Sequence, residues 1–311
     1  MKNTIPFLAF LAASLPLCAQ TPILEYKFDE GTGSSAASTG SNTTIGTIQD
    51  SNFVAADFHT PGVGTDNSFA FDNSSSTGMG SLGTGGRVTA GDVNAVDGLV
   101  SFTLQGWYNT ASFSSIGSNA KLFDKNTGGS SGFSLRTSSS NTLALQVNGT
   151  SVASGASSSY ALQNEWVFFA VTYDGTAGSL ASNNVHFYVG TTSATASEVS
   201  AATLTTGISL ANANSLILGN NSAATGNVNI RPFDGYLDDM RIFGSTTNST
   251  GSLNLAQLES FRSLDILSPI PEPSTYFLLA IGGIGLTLFL RTRRPSGQTS
   301  LFEPNQVSSL M

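Results

Sequence analysis

The sequence predicts an all-β fold, a two-sheet sandwich or jelly roll, and three observations carry that reading. Short apolar or alternating runs recur along residues 20–262. Clusters of Gly, Asn and Ser separate them, and these residues supply turns. Helical spacing is confined to residues 253–262, where Leu255, Leu258 and Phe261 fall on one side. Many short strands with so little helix favour two packed sheets.

The clearest strand runs are residues 23–28, 99–108, 132–135, 142–147, 166–173, 184–189, 215–218 and 233–243. Leu143, Leu145 and Val147 alternate cleanly, and Asn148-Gly149 is a strong hairpin pair. Alternation falters between Val100-Phe102-Leu104 and Gln105-Trp107, which predicts a bulge in that strand. Residues 31–98 are rich in Ser, Gly, Thr and Asn, and predict long surface loops between a few strands around Phe53, Phe69 and Val88. No internal repeat or composition break suggests a second domain.

The 311 residues leave room for one large β domain and short terminal segments. Charged residues make up only 10%, against roughly 25% in typical soluble domains. The polar surface must therefore come from Ser, Thr, Asn and the 33 Gly. Residues 20–270 hold 8 basic against 18 acidic groups. That excess argues against nucleic acid and anionic lipid as partners. Cys18 is the single cysteine, so no internal disulfide can form.

Residues 1–19 read as a signal peptide: Lys2, a mostly apolar run from Ile5 to Leu17, then Ala19 before Gln20. At the other end, residues 263–275 form a linker holding Pro269, Pro271 and Pro273. Residues 276–290 are uncharged and almost wholly apolar. As a helix they would span roughly 22 Å, short for a hydrocarbon core of about 30 Å but workable if the bilayer thins. Arg291, Arg293 and Arg294 close the segment and head a tail to residue 311. By the positive-inside rule they stay cytoplasmic and residues 20–270 lie outside.

Pro271-Glu272-Pro273-Ser274, the apolar segment and the arginines together resemble the PEP-CTERM sorting signal of Gram-negative bacteria. The resemblance implies an exosortase-type transpeptidase as partner, cutting near Pro-Glu-Pro. It also implies an inner-membrane-anchored precursor bound for the cell surface or an exopolysaccharide-rich extracellular matrix. The tail from Pro295 to Met311 departs from the usual pattern.

The body resembles LamG-like domains of the concanavalin A-like lectin/glucanase superfamily. The carrying runs are Leu24-Glu25-Tyr26-Lys27-Phe28-Asp29-Glu30-Gly31, Ser101-Phe102-Thr103-Leu104-Gln105-Gly106-Trp107, residues 165–175, residues 185–190 and residues 233–243. Their order and spacing imply one jelly roll over about residues 20–262, with the opening and closing strands close together. That fold hosts lectins, adhesion modules and glycosidases alike.

Glycoside hydrolysis needs two carboxyl groups about 5–10 Å apart. The family's hydrolytic members carry a Glu-x-Asp-x-x-Glu strand, which is missing here. On a regular strand, adjacent Asp238 and Asp239 would point to opposite faces, and Glu25 and Asp29 would sit about 13 Å apart. Calcium is the metal that fits loop oxygen ligands, and LamG-like domains often bind it. Asp29, Glu30, Asp174, Asp234, Asp238 and Asp239 are candidates, although Asp174-Gly175 and Asp234-Gly235 also read as plain turn pairs. Trp107 and Tyr108 are candidates for stacking on sugar rings, with Trp166 a further aromatic. Gly78–Gly83 and Gly128–Gly132 match nucleotide and nucleophile-elbow patterns only by chance, lacking the required strand-turn-helix setting. His186, inside a strand run, reads as structural. The leading expectation is thus a non-enzymatic surface or matrix protein binding glycan or protein. A glycan-active enzyme and a passive structural module are the alternatives.

Overall fold

The structure, a computed structural model, describes residues 20–49, 57–64, 68–74, 86–127, 130–221 and 231–267. All of these fall in one compact unit, Met1–Ser268. The expected signal peptide, sorting motif, apolar segment and arginine cluster lie outside the described residues, as does Phe53. Among the described residues, no helix is long and apolar enough to cross a membrane.

Sixteen strands are found among the described residues. The first eight are β1 (Leu24–Tyr26), β2 (Ser35–Ala37), β3 (Ile45–Gln49), β4 (Asp57–His59), β5 (Ala70–Asp72), β6 (Arg87–Gly91), β7 (Ser101–Asn109) and β8 (Lys121–Asn126). The others are β9 (Gly132–Thr137), β10 (Leu143–Val147), β11 (Thr150–Ala153), β12 (Trp166–Asp174), β13 (Val185–Thr191), β14 (Ser197–Ala202), β15 (Leu216–Leu218) and β16 (Tyr236–Ser245). One helix, α1 (Leu255–Ile266), follows. Sheet A runs β14-β13-β12-β7-β16-β5-β4, with β1 also on β16, and sheet B runs β11-β10-β9-β8-β15-β6-β3-β2. The pairs are antiparallel throughout, and the opening strand lies on the closing one, Glu25 opposite Arg241.

The two sheets trap one aromatic-rich core. Phe102 of sheet A meets Phe133 of sheet B with ring centres 5.2 Å apart, and Tyr173 lies 5.1 Å from Phe102. Leu143, Leu145 and Val147 all point into this core, as their alternation predicts. Each such side chain contributes about 1.5–3 kcal/mol when withdrawn from water. The Asn148-Gly149 pair closes the β10–β11 hairpin, with φ of 47° and 86°. Two successive left-handed residues suit the twist of a tight hairpin.

Sheet A is covered on its outer face as well. Helix α1 lays Leu258 and Phe261 over Phe243, Trp107 and Phe168, forming a second apolar cluster. Asn254 starts the helix with a reciprocal cap: its Oδ1 accepts from Gln257 N at 3.0 Å, and Gln257 Oε1 accepts from Asn254 N at 3.0 Å. Leu255, expected on the buried side, is exposed. The helix also continues four residues past the expected boundary at 262, so Asp265 belongs to the packed domain, not to a linker.

Two further expectations are corrected. Strand β7 carries no bulge: its register with β12 is continuous from Trp166 opposite Asn109 to Asp174 opposite Ser101. The irregularity lies in β16, between Asp238 and Arg241. Apolar residues appear on both faces of β7 because both faces are covered, which hides the period of two. In residues 31–98, β2 and β3 join sheet B within what reads as loop, since their short Ser/Thr/Gly-rich runs carry little apolar signal.

Candidate functional site

The bulge in β16 decides what the closing strand presents. Asp238 stands opposite Trp107 and Arg241 opposite Gln105, so two residues, Asp239 and Met240, face the single Gly106. Asp239 takes a left-handed φ of 48°. Alternation is thereby cancelled, and both aspartates engage groups of the α1 side rather than opposite faces. Asp238 Oδ2 accepts from Val63 N at 2.7 Å, and Asp239 Oδ1 accepts from Arg241 Nη2 at 2.9 Å.

Arg241 is the centre of this buried network. It donates to Glu25 at 2.6 Å and to both Asp265 oxygens at 2.7 and 2.9 Å. Trp107 Nε1 donates to Asp265 Oδ2 at 2.8 Å. Strands β1 and β16 are thus tied to α1 through one guanidinium, whose five N–H donors suit several carboxylates at once, and β7 is tied to it through the Trp107 indole. Burial pushes the Asp239 carboxyl up to about 8, the nearby Asp265 carboxylate adds to this, and Arg241 opposes it. Asp238 is raised too, first by burial and then by Asp239. For Glu25 burial also acts upwards, but Arg241 and the hydroxyl of Thr39 outweigh it and hold the carboxyl below its ordinary range.

The sequence-predicted site residues do not assemble. Trp107 and Tyr108 are both fully buried. Trp107 packs edge-on against Phe168 at 5.4 Å, and Tyr108 lies among Phe113, Phe169 and Phe233. Both expected stacking rings are therefore core residues, since β7 is central and covered on each face. Asp29 accepts from Phe69 N at 3.3 Å at the surface. Asp174 uses its oxygens on Thr176 N and Ser179 Oγ within its own turn, at 3.0 and 2.6 Å. Asp234 offers its carbonyl to Thr110 Oγ1 at 2.9 Å, and Asp238 is buried. Among the described residues no group of three His, Cys, Asp or Glu side chains could hold a metal ion. Of these four aspartates, Asp29 lies near enough to Asp238 to help raise its carboxyl, while Asp174 stays within its own turn. His186 Nδ1 lies 3.2 Å from Glu198 Oε1 across β13 and β14.

A half-buried aromatic pair lies further along the outer face of sheet A, where Trp166 packs against the edge of the second apolar cluster. Trp166 on β12 stands directly opposite Asn109 on β7, Asn109 opposite Tyr236 on β16, and Tyr236 opposite Asp72 on β5. Directly opposed residues share a face, so the four form a row across the outer surface. All four are half-buried. The Trp166 and Tyr236 rings approach to 6.4 Å, tilted by 45°. Their strands flank β7 and so lie about 9.6 Å apart, and the rings approach each other across the strand that carries Asn109. Burial, with Asp72 next, raises the Tyr236 phenol, so its hydroxyl stays protonated. Asp72 Oδ1 accepts from Ser74 N at 2.8 Å.

A small cleft opens at the same end of the sandwich. It holds about 210 Å³ and is lined by Ser112, Phe113, Ser114, Asn141, Ser157 and Gln163. Asn164 N donates to Thr110 O at 2.9 Å, which joins the cleft's chain segments to the end of the row. Sequence reasoning named Trp166 but missed Asn109, Tyr236 and Asp72, because cross-strand register, not local pattern, brings them beside it.

Comparison with known proteins agrees with the architecture. Residues 82–250 match the Laminin_G_3 family, described as the concanavalin A-like lectin/glucanases superfamily, and residues 269–294 match the PEP-CTERM protein-sorting motif. No curated protein matches the chain. Among solved structures, the chain is similar to domain 4 of AbnA, a GH43 extracellular arabinanase from Geobacillus stearothermophilus, in complex with arabinotriose. The TM-score is 0.51 at 14% identity, covering 78% of this chain and 98% of that one. It is also similar to the binding domain of botulinum neurotoxin DC in complex with SialylT, with a TM-score of 0.51 at 14% identity. That match covers 80% of this chain and 52%, about half, of the other. These likenesses concern the fold. The all-β sandwich, the match over more than half the chain and the sorting motif together make this chain a member of the concanavalin A-like lectin/glucanases superfamily that carries a PEP-CTERM sorting motif.

Proposed function

We propose that this chain is an exported, non-enzymatic surface protein whose sandwich binds glycan across the Trp166–Asn109–Tyr236–Asp72 row. An exosortase-type transpeptidase then recognises and cuts its C-terminal motif. The carrying observation is the Trp166–Tyr236 pair, two rings 6.4 Å apart on strands either side of Asn109 on the outer sheet face. Aromatic faces beside a few fixed polar groups are the usual make-up of a small-ligand surface. The apolar C–H face of a pyranose can lie on the rings, while Asn109, Asp72 and the Tyr236 hydroxyl take its hydroxyl groups.

A non-catalytic role is supported by the placement of the raised carboxyls. Asp238 and Asp239 have the elevated affinity for protons that a general acid needs. Asp238 is 2% exposed and held by Val63 N, and Asp239 is ion-paired to Arg241 with its side chain 14% exposed, so neither is presented openly to a glycosidic bond. A glycan as the ligand class is supported by domain 4 of AbnA, which is similar in fold over 98% of its length and was solved in complex with arabinotriose.

Two measurements test the reading. Glycan-array binding of the full chain should show saturable binding to at least one neutral oligosaccharide; a blank array would overturn the glycan part. Intact mass of the protein from its host should end near residues 271–274. A chain running to residue 311 would overturn cleavage.

A further inference from the structure

At the opposite end of β7 from the aromatic row, a single lysine sits in a cage of oxygens. Lys125, the fifth residue of β8, is buried, its side chain only 1% exposed. Its Nζ donates to Asp92 Oδ1 at 2.8 Å, to Asn214 O at 2.9 Å and to Asn212 O at 3.1 Å. Asp97 Oδ1 stands at 3.5 Å as a fourth oxygen. The ammonium thus spends its three N–H donors on three separate acceptors and faces two carboxylates.

The cage itself is held in shape by backbone. Asn212 Nδ2 donates to Lys125 O at 3.2 Å, and Asn214 Nδ2 donates to Asn126 O at 2.6 Å. Asn212 N donates to Asp97 Oδ1 at 3.4 Å, and Asn214 N to Asn212 Oδ1 at 3.0 Å. The segments before β7, at the end of β8 and before β15 therefore converge on one cation. Gly132 seals the cage from β9: a Cβ there would fall 1.9 Å from Lys125 O.

Two carboxylates and two backbone carbonyls form a hard, all-oxygen donor set with two negative charges. That is the chemistry that binds calcium, which takes oxygen ligands and completes its shell with water. Asp92 is 41% exposed and gives the cage a solvent side, so water can enter there. We propose that the Lys125 ammonium is a built-in replacement for a divalent cation, and that this end of the sandwich is a calcium-type site made metal-independent by one side chain. Nζ–oxygen distances of 2.8–3.1 Å exceed the roughly 2.3–2.6 Å of calcium–oxygen bonds. A metal taking the place of Nζ would need Asp92 and the two carbonyls to close by a few tenths of an ångström and Asp97, at 3.5 Å, by about 1 Å.

The test compares thermal unfolding of the full chain in EDTA and in millimolar calcium. Wild type should be indifferent to calcium at this site. Lys125→Ala leaves the carboxylates facing each other across a void, and should melt roughly 10 °C lower in EDTA. Calcium should restore most of that loss saturably, and terbium should compete. Lys125→Met keeps the bulk but not the charge, so it should be destabilised without rescue. Lys125→Ala combined with Asp92→Asn and Asp97→Asn should lose the calcium response. A lysine acting only as an ion-pair partner predicts no rescue in any variant. Equal calcium responses in Lys125→Ala and the triple variant would overturn the proposal, as would a Lys125→Ala chain that stays unfolded with and without calcium.

Discussion

Arg241 and Asp265 form a two-pronged ion pair, Nη1 to Oδ2 at 2.9 Å and Nη2 to Oδ1 at 2.7 Å, that fastens the closing strand to the terminal helix. Their side chains are 4% and 2% exposed. Removing one member leaves a buried charge short of partners, which is the costly way to break such a pair. Asp265→Ala should therefore cost about 3 kcal/mol, the low end of the range because Glu25 and Asp239 still face Arg241. The shift of the urea midpoint measures it. A loss below about 1 kcal/mol would show that the remaining carboxylates suffice.

The same network sets a pH dependence. Asp239 binds its proton more tightly folded than unfolded, between its ordinary 3.8 and about 8. Stability from this group is complete in acid and is lost as pH rises through that window. The raised Asp238 acts in the same sense. Glu25, held below 4.5, acts oppositely: its contribution is complete above that value and is lost as pH falls. Unfolding midpoints should peak in mild acid and decline towards pH 8. Asp239→Asn should flatten the upper limb, and an unchanged limb would assign it to other groups.

Gly106, the single glycine of β7, should resist a larger side chain. A Cβ there would come 2.5 Å from Met240 Sδ and 3.2 Å from Asp238 O, against the bulge. Gly106→Ala should cost about 1–3 kcal/mol through overpacking, read by chemical denaturation. Stability equal to wild type would mean that the Met240 thioether swings aside without loss.

The two tryptophans should separate stability from binding. Trp107→Ala empties a fully buried site and breaks the bond to Asp265, for a loss of about 3–5 kcal/mol. Trp166→Ala removes a half-buried ring at the sheet end, so stability should change much less, while glycan affinity should drop about tenfold, or about 1.4 kcal/mol. Titration calorimetry against an array-positive oligosaccharide decides. Full affinity in Trp166→Ala would move the site away from the row without touching the case for glycan binding.

Local pattern carried a good deal of this protein. The alternation of Leu143, Leu145 and Val147, the Asn148-Gly149 turn and the runs that became β7, β12, β13 and β16 were all readable from neighbouring residues, because the strand period and turn chemistry are local properties. The pairing of opening and closing strands, implied by resemblance, is found as Leu24 opposite Ile242. The reading of Asp238 and Asp239 as facing apart failed because one extra residue in β16 broke the period of two. Asp265 was read as linker, since nothing beside it in the chain signals a buried arginine 24 residues earlier.

By itself the sequence determined the class of fold, the acidic and poorly charged surface, the sorting motif and the order of the main strands. These follow from composition, short-range periodicity and contiguous motifs. Only the tertiary structure decided which aromatics are core and which reach the surface, where the bulge falls, and that Lys125 stands among oxygens from two distant segments. Those outcomes depend on cross-strand register and on which faces a helix covers, and contacts between residues far apart in the chain leave no local trace in it.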